Sequence, residues 1–129
     1  QDKVSFQCKY DFVLSNRIYA GCDMFLMPSL FEPCGLSQMM SLKYGTIPIV
    51  RETGGLNDTV QAYNEFTHSG NGFSFKNYNA HDMMHTIRRA EYYYYNQKNI
   101  WKHLIKTAMN GDYSWEHSAK RYLELYRSI

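Results

Sequence analysis

The sequence predicts an α/β fold, a Rossmann-like parallel sheet with helices on both of its faces. Two short apolar runs, Met24–Met27 and Ile47–Val50, are too brief for helices and uniform enough for strands buried on both faces. Between them, Leu36–Tyr44 carries apolar residues at helical spacing. Beyond them, three helical stripes close the chain. Strands alternating with helices imply βαβ units and parallel pairing.

In chain order, Val4–Cys8 alternates weakly and predicts a short strand, and Leu14–Ala20 a short helix. The Met24–Met27 strand stops at Pro28. Leu36, Met39, Met40 and Leu42 form the apolar face of the next helix, and Gly45 is its natural stop. After the Ile47–Val50 strand, Gly54-Gly55 marks a tight turn. "NEFTHSGNG" at 64–72 reads as a loop leading to a short strand, Phe73–Phe75. Met83, Met84, Ile87, Ala90 and Tyr94 share one helical stripe, and Ile100, Trp101, Leu104, Ile105 and Ala108 another. The run Tyr92–Tyr95 reads as a partly buried helix shoulder. Asn110-Gly111 breaks the pattern, Ser114 is placed to cap, and Trp115, Ala119, Tyr122, Leu123 and Tyr126 form a third stripe expected in the core. Three or four strands fall short of the about five or six of an ordinary open α/β sheet, so the chain reads as part of a larger protein.

Composition narrows the function classes. The 129 residues make one ordinary domain, and 44% apolar residues supply a core. A net charge of +2 offers no field for nucleic acid. No apolar run approaches the roughly 20 residues of a membrane helix. "QDKVSFQCKY" lacks the layout of a signal peptide. Cys8, Cys22 and Cys34 are odd in number and form no C-x-x-C pair, as expected for reduced thiols in a cytoplasmic protein.

The chemistry concentrates at 28–38, where ligands of open α/β sheets gather beyond the carboxyl ends of strands. Glu32 sets a carboxylate at the mouth of the crevice, and Pro33 stiffens the turn. Gly35 permits close approach to the backbone. The amides of Gly35, Leu36 and Ser37 are the free donors of a helix start, which favours an anion. A carboxylate beside an anion cradle suits a ligand joining phosphate to a hydroxyl-rich group, as a nucleotide sugar does. A solvated loop carboxylate and a plain turn glycine would read the same, and spacing alone does not separate the two.

The wording "PSLFEPCGLSQMMSLKYGTIPIVRETGGLNDTV" closely resembles the signature of bacterial glycogen synthases and plant starch synthases, retaining glucosyltransferases of the GT-B fold. "YDFVLSNRIYAGCDMFLMPS", "GNGFSF" and "YSWEHSAKRYLELY" resemble their flanking segments, so nearly the whole chain is covered. The resemblance places the chain in part of the C-terminal, nucleotide-sugar-binding half. The acceptor-binding N-terminal half, and the upstream Arg and Lys that clamp the diphosphate, lie outside it.

By this resemblance Tyr10 matches the tyrosine against the nucleobase, a role that an aromatic face suits. Glu32 matches the glutamate at the transferred glucose, where it would hold a sugar hydroxyl and stabilise developing positive charge. Cys34, Gly35, Leu36 and Ser37 match the loop that meets sugar hydroxyls and the distal phosphate, and Thr53, Gly54 and Gly55 a supporting turn. Leu30 stands where the signature usually has Arg, and Met40 where related glycosyltransferases have a second glutamate.

Two other constellations point elsewhere. Cys34 near a helix start invites a nucleophile reading, but no His is near in sequence, and binding or packing is the expected role. "HDMMH", His81 to His85, departs from the H-E-x-x-H zinc motif by Asp82 and reads as two exposed histidines.

The resemblance therefore implies an enzyme that transfers glucose from ADP-glucose or UDP-glucose to the non-reducing end of an α-1,4-glucan, with retention and with no metal or other cofactor. This chain alone is expected to be inactive and, because the resemblance has the closing helix cross toward the N-terminal half and leave part of the Trp115–Tyr126 face exposed, prone to self-association. The alternatives are a stand-alone nucleotide- or sugar-binding module, or another GT-B enzyme such as a sucrose synthase relative.

Overall fold

The computed structural model describes residues 3–129. Its elements run α1 (Phe12–Gly21), β1 (Met24–Met27), α2 (Ser37–Tyr44), β2 (Ile47–Arg51), α3 (Gly54–Thr59), β3 (Phe73–Phe75), α4 (Ala80–Asn96), α5 (Lys98–Asn110) and α6 (Trp115–Arg127). The strands form one parallel sheet in the order β1-β2-β3, with Met24 opposite Ile47 and Ile49 opposite Phe73. This is the expected α/β arrangement of a parallel sheet with flanking helices.

The central strand β2 sets the two cores. Side chains alternate across a strand, so Ile47 and Ile49 face one side and Val50 the other. On the first side they join Phe73, Tyr93, Trp101 and Leu104 from β3, α4 and α5. On the second, Val50 meets Leu56 and Val60 at α3. Pro48 is tolerated inside this strand for a positional reason. The Ile47 amide donates to Asp23 on the β1 side, so the Pro48 nitrogen faces β3, whose pairing begins only at Ile49. Thr46, 1% exposed, places its hydroxyl within hydrogen-bond reach of the Tyr19 and Cys22 carbonyls and ties the end of α1 to the start of β2.

Several sequence expectations are corrected. Residues 4–8 form no strand and are exposed. β1 is an edge strand and only partly covered, with Leu26 exposed, although its letters read as buried on both faces. An apolar run reports affinity for cover, and here only one neighbouring strand supplies it. Gly54-Gly55 is the first turn of α3 and not a tight turn. The face of α2 is met only in part: Leu42 is buried and Met39 half-buried as expected, but Leu36 and Met40 are exposed while Gln38 and Ser41 turn inward. α6 begins at the expected cap, with Ser114 Oγ accepting from the His117 amide at 3.1 Å, yet none of its residues is buried. Its periodicity shows an apolar face, and nothing among the described residues covers it. The tyrosine run behaves as a shoulder, with Tyr93 in the core, Tyr94 half-buried, and Tyr92 and Tyr95 exposed. His81 and His85 are exposed on α4. No helix of the described residues is long and apolar enough to cross a membrane.

Candidate functional site

The loop between β1 and α2 carries Glu32 and is held from beneath by the segment that follows β2. Arg51 ends β2 and donates from Nη1 to the Leu30 carbonyl at 2.6 Å. Four residues on, the Gly55 amide is shared between the carbonyls of Glu32 and Pro33, each at 3.1 Å. Contact is so close that a Cβ on Gly54 would stand 2.1 Å from the Glu32 carbonyl oxygen, and one on Gly55 2.0 Å from that of Cys34. Thr53 caps α3 through its backbone, its carbonyl accepting from Leu56 at 3.1 Å. Thr53, Gly54 and Gly55 thus form a floor for the loop, with glycine demanded by backbone contact at both positions and, at Gly54, also by a left-handed φ of +45°.

On this floor Glu32 is half-buried. Its Oε2 lies 3.5 Å from the Ser29 hydroxyl, and among the described residues no cation pairs with it. The chain then turns into α2 through Gly35 at φ +72°, a left-handed conformation natural to glycine. A Cβ there would also reach 2.5 Å from Gln38 Oε1. The N-cap of α2 is Leu36, which offers no capping side chain. Among the described residues no protein acceptor takes the amides of Gly35, Leu36 or Ser37. Leu36 and Cys34 are exposed, and Ser37 is half-buried. The result is a helix start whose amides lack a protein acceptor, exposed at Leu36, half-buried at Ser37 and buried at Gly35, on the same loop as an unpaired carboxylate at the carboxyl end of β1.

Two residues hold this shape and were not singled out from the sequence. Gln38, with no exposed surface, donates from Nε2 to the Gly35 carbonyl at 2.9 Å, to Cys34 at 3.2 Å and to Thr59 Oγ1 at 3.1 Å. Its Oε1 is buried without a partner. A glutamine three residues after a loop glycine on a helix start was the available signal, but its burial was not legible. The second is Arg51. Gln38→Leu is expected to destabilise the chain by about 1–2 kcal/mol, because the buried Gly35 carbonyl loses its donor. A urea titration of wild type and variant measures it.

Tyr10 stands apart. It is 94% exposed, and among the described residues no hydrogen bond or ring stacking holds it. Its neighbour Asp11 caps α1, accepting from the Leu14 amide at 2.9 Å. That amide, and then Lys9, hold the Asp11 carboxyl below its ordinary range. Phe12, two residues on, shares a cleft of about 590 Å³ with Leu36, Met39 and Met40. Tyr10 therefore precedes a helix whose Phe12 and Asn16 share a cleft with Leu36, the N-cap of α2, and with α2 itself as far as Tyr44.

Solved and curated relatives supply the class. The chain aligns with the catalytic domain of starch synthase IV from Arabidopsis thaliana, solved bound to ADP and acarbose, with a TM-score of 0.83 and 43% identity, over 93% of this chain and 25% of that one. The parallel sheet with its flanking helices is thus a portion of the GT-B glycosyltransferase fold. The family model described as "Glycosyl transferases group 1" matches residues 3–104, and the chain belongs to that family. It is 66% identical over 116 residues to the glycogen synthase of Geobacillus thermodenitrificans (strain NG80-2), covering 90% of this chain and 24% of that protein. Against the glycogen synthase of Bacillus cereus (strain Q1) it is 60% identical over 128 residues, 99% of this chain and 27% of the relative. The chain thus spans about a quarter of the length of these relatives.

Proposed function

We propose that the chain is part of the C-terminal, nucleotide-sugar-binding domain of a cytoplasmic glycogen or starch synthase. The parent enzyme moves glucose from ADP-glucose or UDP-glucose to the non-reducing end of an α-1,4-glucan with retention. The observation that carries this reading is the pairing of the bare α2 amides with the unpaired Glu32 carboxylate on one loop. The amides of Gly35–Ser37 receive the distal phosphate and sugar hydroxyls, aided by the helix dipole. Glu32 holds a hydroxyl of the transferred glucose and opposes the positive charge that builds at its anomeric carbon. Tyr10 stacks on the nucleobase. Thr53, Gly54 and Gly55 keep the loop at its height. Retention follows if the acceptor attacks the face that the diphosphate leaves, with the diphosphate taking the acceptor proton.

The test is a transfer assay on the full-length parent with ADP-glucose and UDP-glucose, each with an α-1,4-glucan. Elongation of the glucan with release of nucleoside diphosphate is expected, and the preferred donor is read from kcat/KM. Nucleotide-sugar binding without transfer would replace this reading with a binding module, and transfer to a free hexose instead would point to a sucrose synthase relative. The 129-residue chain alone is expected not to elongate glucan, and its exposed α6 face to promote self-association.

A further inference from the structure

Arg51 is not among the residues assigned to donor or acceptor above, yet its surroundings are unusual for a surface arginine. It ends the central strand, one residue past the Met27–Val50 pair, so its side chain reaches across to the chain leaving β1. Nη1 donates to the Leu30 carbonyl at 2.6 Å and lies 3.5 Å from that of Ser29. The guanidinium carbon sits 5.5 Å from the centre of the Tyr78 ring, and Nε is buried with no partner. Among the described residues no carboxylate pairs with it. Its strongest directed contacts are backbone carbonyls of the loop that presents Glu32.

That loop has little else to hold it upstream of Glu32. Leu30 is 64% exposed and Phe31 72%, so neither apolar side chain anchors it by burial. Downstream, the Gly55 amide fixes the Glu32 and Pro33 carbonyls. Upstream, the Arg51 clamp on residues 29 and 30 is the matching tie, and Ser29 is the residue whose hydroxyl approaches the Glu32 carboxylate. Both contacts leave one guanidinium nitrogen, Nη1, and the short one at Leu30 is the tie that fixes the backbone there.

We propose that Arg51 is a positioning residue for the Glu32 carboxylate: it fixes the Ser29–Leu30 backbone, and with it the carboxylate, during glucosyl transfer. The inference rests on the reading above that Glu32 acts at the transferred sugar. Arg51 works through Glu32 and touches no reacting atom.

The experiment is a double-mutant cycle in the full-length parent, measuring kcat and the KM for the nucleotide sugar. Arg51→Met is expected to lower kcat by at least about fivefold while KM changes by less than about twofold, since misplacing a group costs turnover before it costs uniform binding. Arg51→Lys is expected to recover part of the loss. In a Glu32→Ala background Arg51→Met is expected to lower kcat no further. An unchanged kcat in Arg51→Met, or the same loss with and without Glu32, overturns the proposal. Should Arg51→Met fail to fold, Arg51→Gln run through the same cycle decides it by the same criterion. A wild-type parent with no glucosyl transfer would instead overturn the proposed function, which separates the two failures.

Discussion

Replacing Glu32 by Ala in the full-length parent is expected to lower kcat at least about tenfold, which corresponds to about 1.4 kcal/mol of barrier. The argument is electrostatic. Glu32 is half-buried, faces one weak donor at 3.5 Å, and has no cationic partner among the described residues. Such a carboxylate is free to act on a ligand, and positive charge developing on a sugar is what it would stabilise most. The effect should fall mainly on kcat, because charge at the anomeric carbon develops in the transition state and not in the bound donor. Steady-state kinetics with saturating glucan decides it. Near-normal turnover in Glu32→Ala would remove the residue from its proposed role.

Gly55→Ala is expected to destabilise the domain by about 3 kcal/mol and to displace the Glu32 loop. An added Cβ would stand 2.0 Å from the Cys34 carbonyl oxygen and 2.6 Å from its Cα. These are backbone atoms that cannot swing aside as a side-chain tip could. The same residue donates its amide to Glu32 and Pro33, so relief of the clash moves the carbonyls that fix the carboxylate. Gly21→Ala is the control: nothing lies within 4 Å of the Cβ it adds at the end of α1, and its stability should match or slightly exceed wild type. Chemical denaturation of the three proteins, with kcat for the parent, reads both effects. A Gly55→Ala protein as stable and active as wild type would contradict the tight floor beneath the loop.

The α/β class was legible because strand and helix periods are local properties of the letters. Met24–Met27, Ile47–Val50 and Phe73–Phe75 each became a strand, and Gly45 closed α2 in a left-handed conformation. What periodicity could not supply was the identity of the cover. Trp115–Tyr126 reads as a core stripe and is bare, because an apolar face says nothing about what packs on it. β1 reads as doubly buried and lies at an edge. α2 reads as burying Leu36 and Met40, yet turns Gln38 and Ser41 inward, because the Gly35 turn and Thr59 offer Gln38 polar partners that outweigh the apolar pattern. Gly54-Gly55 reads as a tight turn; Gly54 does take a left-handed φ of +45°, but the pair opens α3, and its closeness to Glu32 and Cys34 across the loop is what no local pattern shows. The candidate site was therefore legible in its residues at 32–37, whereas the supports at Arg51 and Gln38 depend on partners far along the chain or on burial that no local pattern encodes.

The central claim is that the Glu32 carboxylate and the amides of Gly35–Ser37 face a single ligand. The most direct measurement is a crystal structure of the full-length parent with its nucleotide-sugar donor bound. The account predicts that donor oxygens lie about 2.7–3.2 Å from at least one of those amides and that the Glu32 carboxylate meets a hydroxyl of the hexose within the same range. A donor seated elsewhere, with these amides facing water and Glu32 touching no part of the sugar, would contradict it.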